Sequence, residues 1–332
     1  MKSCQSSCVK LKWSKAANIS GRGNDTMTDK IRDALLELVS DIHGVPEGAY
    51  NIRLNSKLDG RRSTGDIEIV SKTDKSGIDI IIKPGTKNQS VHIPALVTEA
   101  GIHDLVYNDF FIGDDADVVI VAGCGIHNDG HEASEHNGIH RFFVGKNAKV
   151  KYIEKHIGSG EGTGERIINP QTVVEAGEGS YVEFETTQLK GVDSTIRTTT
   201  AKAEAGATVV VKEKIMTHGT QYAETRFSVD LNGDGSSVSL VSRSVAKDKS
   251  KQKFISTING NAKCAGHSEC DAIIMDDAVV VAVPEISANN VEASLIHEAA
   301  IGKIAGEQII KLMTLGLTEE EAEAQIVNGF LK

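Results

Sequence analysis

Two stretches of this sequence concentrate side chains that bind metals or attack electrophiles. The first is Cys264-Ala-Gly-His267-Ser-Glu269-Cys270-Asp271, followed by Leu295-Ile-His297-Glu298-Ala-Ala-Ile-Gly-Lys303. Thiolate, imidazole and carboxylate are the donors that iron and zinc accept, and a thiol also takes up sulfur as a persulfide. No CxxC…CxxC arrangement is present, which disfavours a closed zinc ribbon. Buried cysteines acting as small apolar residues, beside a surface His-Glu pair, would fit the same spacing. The second stretch is Cys124-Gly-Ile-His127-Asn-Asp-Gly-His131-Glu-Ala-Ser-Glu-His136-Asn-Gly-Ile-His140, where four of the eleven histidines fall beside a cysteine and three acids. Its Gly and Asn content predicts a loop between strands, whose five candidate ligands Cys124, His127, His131, His136 and His140 either hold a metal or line a polar turn. Gly158-Ser-Gly160-Glu-Gly162-Thr-Gly164 lacks the Lys-Ser/Thr ending of a phosphate-binding loop and no helix pattern follows it, so it is expected to be a flexible loop.

The elements that must position these residues are mostly strands. After Met27, Thr28 is a candidate N-cap, and Ile31, Leu35, Leu38 and Ile42 recur at helical spacing before Gly44. From Ile67 the pattern changes to short β-type runs at Ile67–Val70, Ile78–Lys83, Val91–Val97, Leu105–Ile112 and Asp117–Val121, bounded by turn residues. Turns at Gly113-Asp-Asp-Ala-Asp-Val118, Gly145-Lys-Asn-Ala-Lys-Val150, Gly177-Glu-Gly-Ser-Tyr-Val182, Gly206-Ala-Thr-Val209 and Gly233-Asp-Gly-Ser-Ser-Val238 each precede a valine-rich strand. The first three glycines step by 32 residues, a period that suits the rungs of a β-solenoid better than a closed barrel, with a β-sandwich as the alternative. At the C-terminus Ile309, Leu312 and Met313 make one apolar helical face before Gly316. Thr318 and Glu321 form a capping box for a second helix carrying Ala322, Ile326, Val327 and Phe330. The chain thus divides into an atypical extension over 1–26, an N-terminal helical segment over 27–64, a β-core over 65–298 and a C-terminal helical hairpin over 299–332. The extension carries Trp13, Cys4 and Cys8 but no apolar period, and Met27 is its expected boundary with the native fold.

The C-terminal motifs carry a family resemblance. Glu269-Cys270-Asp271, Pro284-Glu285, His297-Glu298-Ala299, Ile301-Gly302-Lys303-Ile304, Gln308, Leu315-Gly-Leu-Thr-Glu-Glu-Glu-Ala322 and Ile326-Val-Asn-Gly-Phe330 together resemble the C-terminal half of the SufB and SufD iron–sulfur cluster assembly proteins. The likeness is strongest over about 240–332 and extends more loosely back to about 65. It implies a right-handed β-helix core and a C-terminal segment that docks SufC, an ATP-binding-cassette ATPase. It also implies a scaffold without enzymatic activity of its own, which builds a transient iron–sulfur cluster with sulfur from a cysteine desulfurase or another donor. Flavin involvement stays open. By this likeness Cys270 and Glu298 are the assembly residues, with His297 beside them and Cys264 and His267 in support. The 28 residues between Cys270 and Glu298 are expected to be one solenoid rung. The chain has a shorter N-terminal region than larger SufB proteins and looks like a compact SufB-like member. Because it keeps Cys270, His297 and Glu298 together, a symmetric homodimer could supply every ligand.

Composition narrows the alternatives. The net charge of −10 and the lack of clustered Lys and Arg argue against nucleic acid as a partner. No run of eighteen apolar residues suggests a membrane span, and no secretory signal is visible, which predicts a cytoplasmic protein whose five cysteines are free thiols. A SufD-like structural partner of the ATPase, for which Cys270 would be dispensable, is one alternative. A solenoid carbohydrate-active enzyme is another, disfavoured by the 4% aromatic content and the missing export signal.

Overall fold

The computed structural model describes residues 27–42, 44 and 46–332; the expected extension, with Cys4, Cys8 and Trp13, lies outside them. The glycine-rich turns set the architecture. Asp115, Asn147, Gly179, Gly206 and Gly235 all have left-handed backbones, with φ of 57°, 55°, 67°, 67° and 76°, a conformation that Gly, Asn and Asp tolerate best. The N–H of each donates to a carbonyl of the next turn, at Lys146, Glu178, Ala205, Asp234 and Lys263, over 2.7–2.9 Å. Stacked turns bring the following strands into register, so that Asp117 faces Lys149 and Lys149 faces Tyr181. The series continues through Thr208, Ser237, Ala265 and Ser294. The product is a β-solenoid of two sheets, each ten-stranded among the described residues, between which the chain alternates as it climbs.

Three features differ from the sequence-based expectation. An antiparallel hairpin, Ala49–Leu54 with Lys57–Arg62, already belongs to the first sheet. Its two turn residues, Asn55 and Ser56, both have positive φ, the geometry that matches strand twist, but neither is glycine and Lys57–Arg62 has no apolar alternation, so the hairpin gives little signal. Gly158–Gly164 is not a loose loop: it stacks on the turn below, with Gly162 N–H donating to Asn128 and Gly164 N–H to Gly130, both at 3.0 Å. A Cβ on Gly164 would lie 2.2 Å from the Glu132 carbonyl oxygen, so close backbone approach explains the glycines. Finally, the 4% aromatic content disfavours an aromatic-rich core, yet several of the aromatics present gather inside. Phe110 stacks on Phe142 at 4.4 Å, and Tyr152 and Phe184 meet Phe142 edge-on at 5.2 and 5.4 Å, because successive rungs stack equivalent inward positions.

Helix α1 (Met27–Ser40) lies on the outer face of the first sheet. Thr28 is its second residue and not its cap. Leu35, Leu36, Val39 and Ile42 are the buried positions while Leu38 is exposed, a rotation from the expected stripe. Gly123 and Gly125 make room for it, since a Cβ on Gly123 would lie 2.4 Å from the Val39 carbonyl oxygen. At the other end α2 (Gly306–Thr314) and α3 (Glu319–Phe330) form the expected hairpin, and Thr318 and Glu321 make both capping-box bonds. Val327, Leu331 and Phe330 pack on Val245, Met216 and Ile273. No residue of α2 is buried, and Ile310, Met313 and Leu315 are exposed. Strands Val279–Ala288 and Ser294–Gly302 end the two sheets, leaving each with an unpaired edge and Val281, Ile286, Ile296 and Ile301 exposed. Among the described residues no helix is long and apolar enough to cross a membrane.

Candidate functional site

Strand parity decides which C-terminal residues can act together. In Ala265–Ile274 the buried positions are Gly266, Ser268, Cys270 and Ala272, whereas His267, Glu269 and Asp271 face outward. The next strand pairs Ser268 with His297, Glu269 with Glu298 and Cys270 with Ala299. The rung between Cys270 and its partner is therefore 29 residues, not 28, and that single residue sends Glu298 to the opposite face of the sheet. His297 shares the inward face with Cys270, one pair removed, and its Nδ1 is buried with no hydrogen-bond partner. Glu298 instead joins His267, with Nε2 to Oε2 at 3.5 Å, and Glu269 on the outside. Cys264 is buried in the turn that precedes the strand, six residues from Cys270, or about 20 Å at strand rise. It does not share a site with Cys270.

Cys270 is 1% exposed, and burial, with Glu213 and Asp271 nearby, pushes its thiol up to about 12. In this state it is a neutral thiol. It stands last but one in an inward column of register partners, Glu154–Thr186–Glu213–Ser242–Cys270–Ala299, which runs up the solenoid axis to the open end. The four steps from Glu154 to Cys270 span about 19 Å at inter-strand spacing. The column is bonded internally: Ser242 and Thr225 donate to the two Glu213 oxygens at 2.8 and 2.7 Å. Arg197 enters from the second sheet, with Nη1 2.5 Å from Glu154 Oε2 and Nε 3.7 Å from Glu213 Oε1. Burial opposes charge on Glu154, but His156 and Arg197 outweigh it and hold the carboxyl well below its ordinary range.

At the lower end of this column lies Cys124. The expected histidine-rich loop is largely strand: Cys124 and His127 close Asp117–His127, and His136 and His140 belong to Ser134–Val144, with only His131 in the connection. Of the Gly and Asn residues that suggested a loop, Gly125 serves helix packing and Asn128–Gly130 a tight turn. Nor do the five candidate ligands converge, since no three of them bring donor atoms within 4.8 Å of one another. His127 bonds Ser159 and Asp129 at 3.0 and 2.9 Å, and His131 bonds Thr163 at 2.9 Å, both toward solvent. His140 sits inside between Tyr152 and Asn108, and burial lowers it to about 4, so it is neutral. Cys124 and His136 pair. Burial alone would raise the thiol, but His136 and His156 bring it down to about 7, while His136, held by Cys124 and by Asp104 at 3.0 Å, rises to about 10 despite its burial. A thiolate–imidazolium pair of this kind is a nucleophile at neutral pH.

The region that contains all of these residues has counterparts among known proteins. A family model described as "SUF system FeS cluster assembly, SufBD core domain" matches residues 108–330. The chain belongs to the SufBD family. Among SufBD relatives, the iron–sulfur cluster assembly SufBD family protein of Archaeoglobus fulgidus is 30% identical over 260 residues, covering 78% of this chain and 69% of the relative. That of Methanocaldococcus jannaschii is 28% identical over 284 residues, covering 82% and 84%. That of Methanothermobacter thermautotrophicus is 28% identical over 265 residues, 78% of this chain but 63% of the relative, so the chain spans less than two thirds of that protein. Within the SufBD core, sequence reasoning missed Glu154, His156, Arg197, Glu213, Thr225 and Ser242. The available signal was polar residues at inward parity: in Tyr152-Ile-Glu154-Lys-His156 every second residue is buried, the same parity as Val150.

Proposed function

We propose that this SufBD protein is a scaffold on which a nascent iron–sulfur cluster is built as transient cargo. Cys270 is the sulfur acceptor and cluster ligand and His297 its neighbour on the same inward face. The observation that carries this reading is the position of Cys270 one rung inside the uncovered end of the solenoid, with His297 on the terminal strand beside it, at the head of a polar column that begins beside Cys124. A thiol held neutral by burial becomes a ligand only when the end of the solenoid opens, and hydrolysis by a SufC-like ATPase bound at the C-terminal helices supplies that opening. A second copy of the chain, paired along the free edges of the last rung, completes the site. A cysteine desulfurase or another donor provides sulfur.

Anaerobic reconstitution with iron and sulfide tests the scaffold reading. The parent chain should develop the absorbance of a cluster, with bound iron to match, while Cys270→Ser should lose most of both without change in its circular dichroism. Cys264→Ser should do less, since its thiol serves the core. A Cys270→Ser variant that assembles clusters as well as the parent supports the SufD-like structural role instead.

A further inference from the structure

The outward trio left over from this site has its own chemistry. Glu269 and Glu298 are directly opposite each other on the outer face of the first sheet, and His267 stands diagonally beside them. One donor atom from each lies within 4.8 Å of the other two. Like charges face to face across a strand pair destabilise a sheet, and this protein elsewhere neutralises them. Where register sets Asp79 opposite Asp109, Lys72 bonds both carboxylates and Arg141 binds Asp109 as well. Other outward charges on the first sheet are paired with the opposite sign, as in Lys151 with Glu185 and Lys212 with Glu183. At Glu269 and Glu298 no such bridging cation is in contact: among the described residues neither forms an ion pair with Lys or Arg, Arg243 acts on Glu269 only from a distance while Asp271 hydrogen-bonds it, and Glu298 has His267. Asp271 adds a third carboxylate on the same face, opposite Arg243.

We propose that His267, Glu269 and Glu298 form a binding site for a first-row divalent cation on the outside of the last two rungs. One imidazole and two carboxylates are borderline-to-hard donors suited to ferrous, manganous or zinc ions, and a cation at their centre supplies the positive charge that Lys72 gives to Asp79 and Asp109. The strands hold two donors in register and the third one residue pair away, so the site is built by the sheet and not by a loop. It contains no thiol and lies across the sheet from Cys270. The inference is independent of the scaffold reading, and metal binding is measured without any cluster.

Cobalt(II) is the probe, because its visible bands report nitrogen and oxygen ligation, while a thiolate ligand adds an intense charge-transfer band in the near ultraviolet. Anaerobic titration of the full metal-free chain should show one such ion per chain without the thiolate band. Loss of a group that merely supports a ligand costs about 10–100-fold in affinity, so His267→Ala and Glu298→Gln should each weaken binding at least about tenfold. Cys270→Ser should bind as the parent does. Because the three side chains are not buried in the core, thermal melting of the metal-free variants should match the parent, and added cobalt should raise the melting temperature of the parent and of Cys270→Ser only. Absence of binding in the parent, unchanged affinity in both His267→Ala and Glu298→Gln, or a thiolate band abolished by Cys270→Ser would each overturn the assignment.

Discussion

Among the described residues Arg197 is the guanidinium that contacts both buried carboxylates of the axial column, and its removal tests what holds that column. Glu154 and Glu213 are each no more than 3% exposed, and Arg197 contacts both and also His156 Nδ1 at 3.1 Å. Arg197→Met retains much of the apolar stem and deletes the charge. Breaking a buried ion pair by removing one partner costs about 3–5 kcal/mol, a large part of the roughly 5–15 kcal/mol that keeps a domain folded. The loss should depend on pH. In the parent, Glu154 is depressed below its unfolded value, so its contribution is present above about pH 4.3 and is lost as pH falls. In the variant, burial with less compensation raises Glu154, the folded chain then binds a proton that the unfolded chain releases, and stability drops as pH rises. Each pH unit climbed between about 4.3 and the raised value costs about 1.4 kcal/mol. Urea unfolding followed by circular dichroism should therefore show a deficit that is larger at pH 8 than at pH 5, and Glu154→Gln added to Arg197→Met should remove most of that slope. A deficit below about 1 kcal/mol, or one equal at both pH values, refutes the view that Arg197 supports charge inside the solenoid.

The thiol of Cys124 should ionise with a midpoint near 7, gaining thiolate absorbance as pH rises, and His136→Asn should move that midpoint upward; a midpoint at or above the ordinary thiol value in the parent contradicts the ion-pair account. On α2, Ile310→Glu with Leu315→Glu should abolish co-purification with a SufC-like ATPase while the sheets keep their circular dichroism, because both side chains are exposed and support nothing in the fold; undiminished binding places the docking surface elsewhere. Light scattering should find a dimer for the parent and a monomer for Val281→Glu, which puts a charge beside the free edge of Val279–Ala288; a parent that is monomeric at micromolar concentration removes the shared-site model.

The solenoid was legible because its turns demand particular residues: glycine, asparagine or aspartate must occupy the left-handed positions from Asp115 to Gly235, and their spacing states the rung length. The capping box at Thr318 was legible for a similar local reason. What the sequence does not disclose is rung length to the single residue. Cys270 and Glu298 stand 28 apart and the rung is 29, so an error of one residue exchanges inside for outside. Glu154, Arg197 and Glu213 escaped notice because a charged residue in a strand is ordinarily a solvent-facing one. Their partners come from other rungs and from the opposite sheet, contacts that no local spacing encodes. The histidine-rich stretch misled through residues such as Gly125, which signals a loop in isolation but here accommodates a helix from the far N-terminal side.

That helix imposes an order on folding. α1 has 14 residues, at the length where an isolated helix is marginal in water, and the surface it needs includes, beside Ile52 and Leu96, Gly123, Gly125 and Ile157, which are synthesised long after it. Rungs of a solenoid form against their neighbours and propagate, so the sheets can close without α1, but α1 cannot settle before the sheets exist. The first described segment to leave the ribosome is thus among the last to find its place, held there by Leu35, Val39 and the ion pair between Asp41 and Lys155. Until it docks, the outward face of the strand that carries Cys124 is open to water, while the thiol itself stays on the inward face among Ala95, Val97 and Ile126.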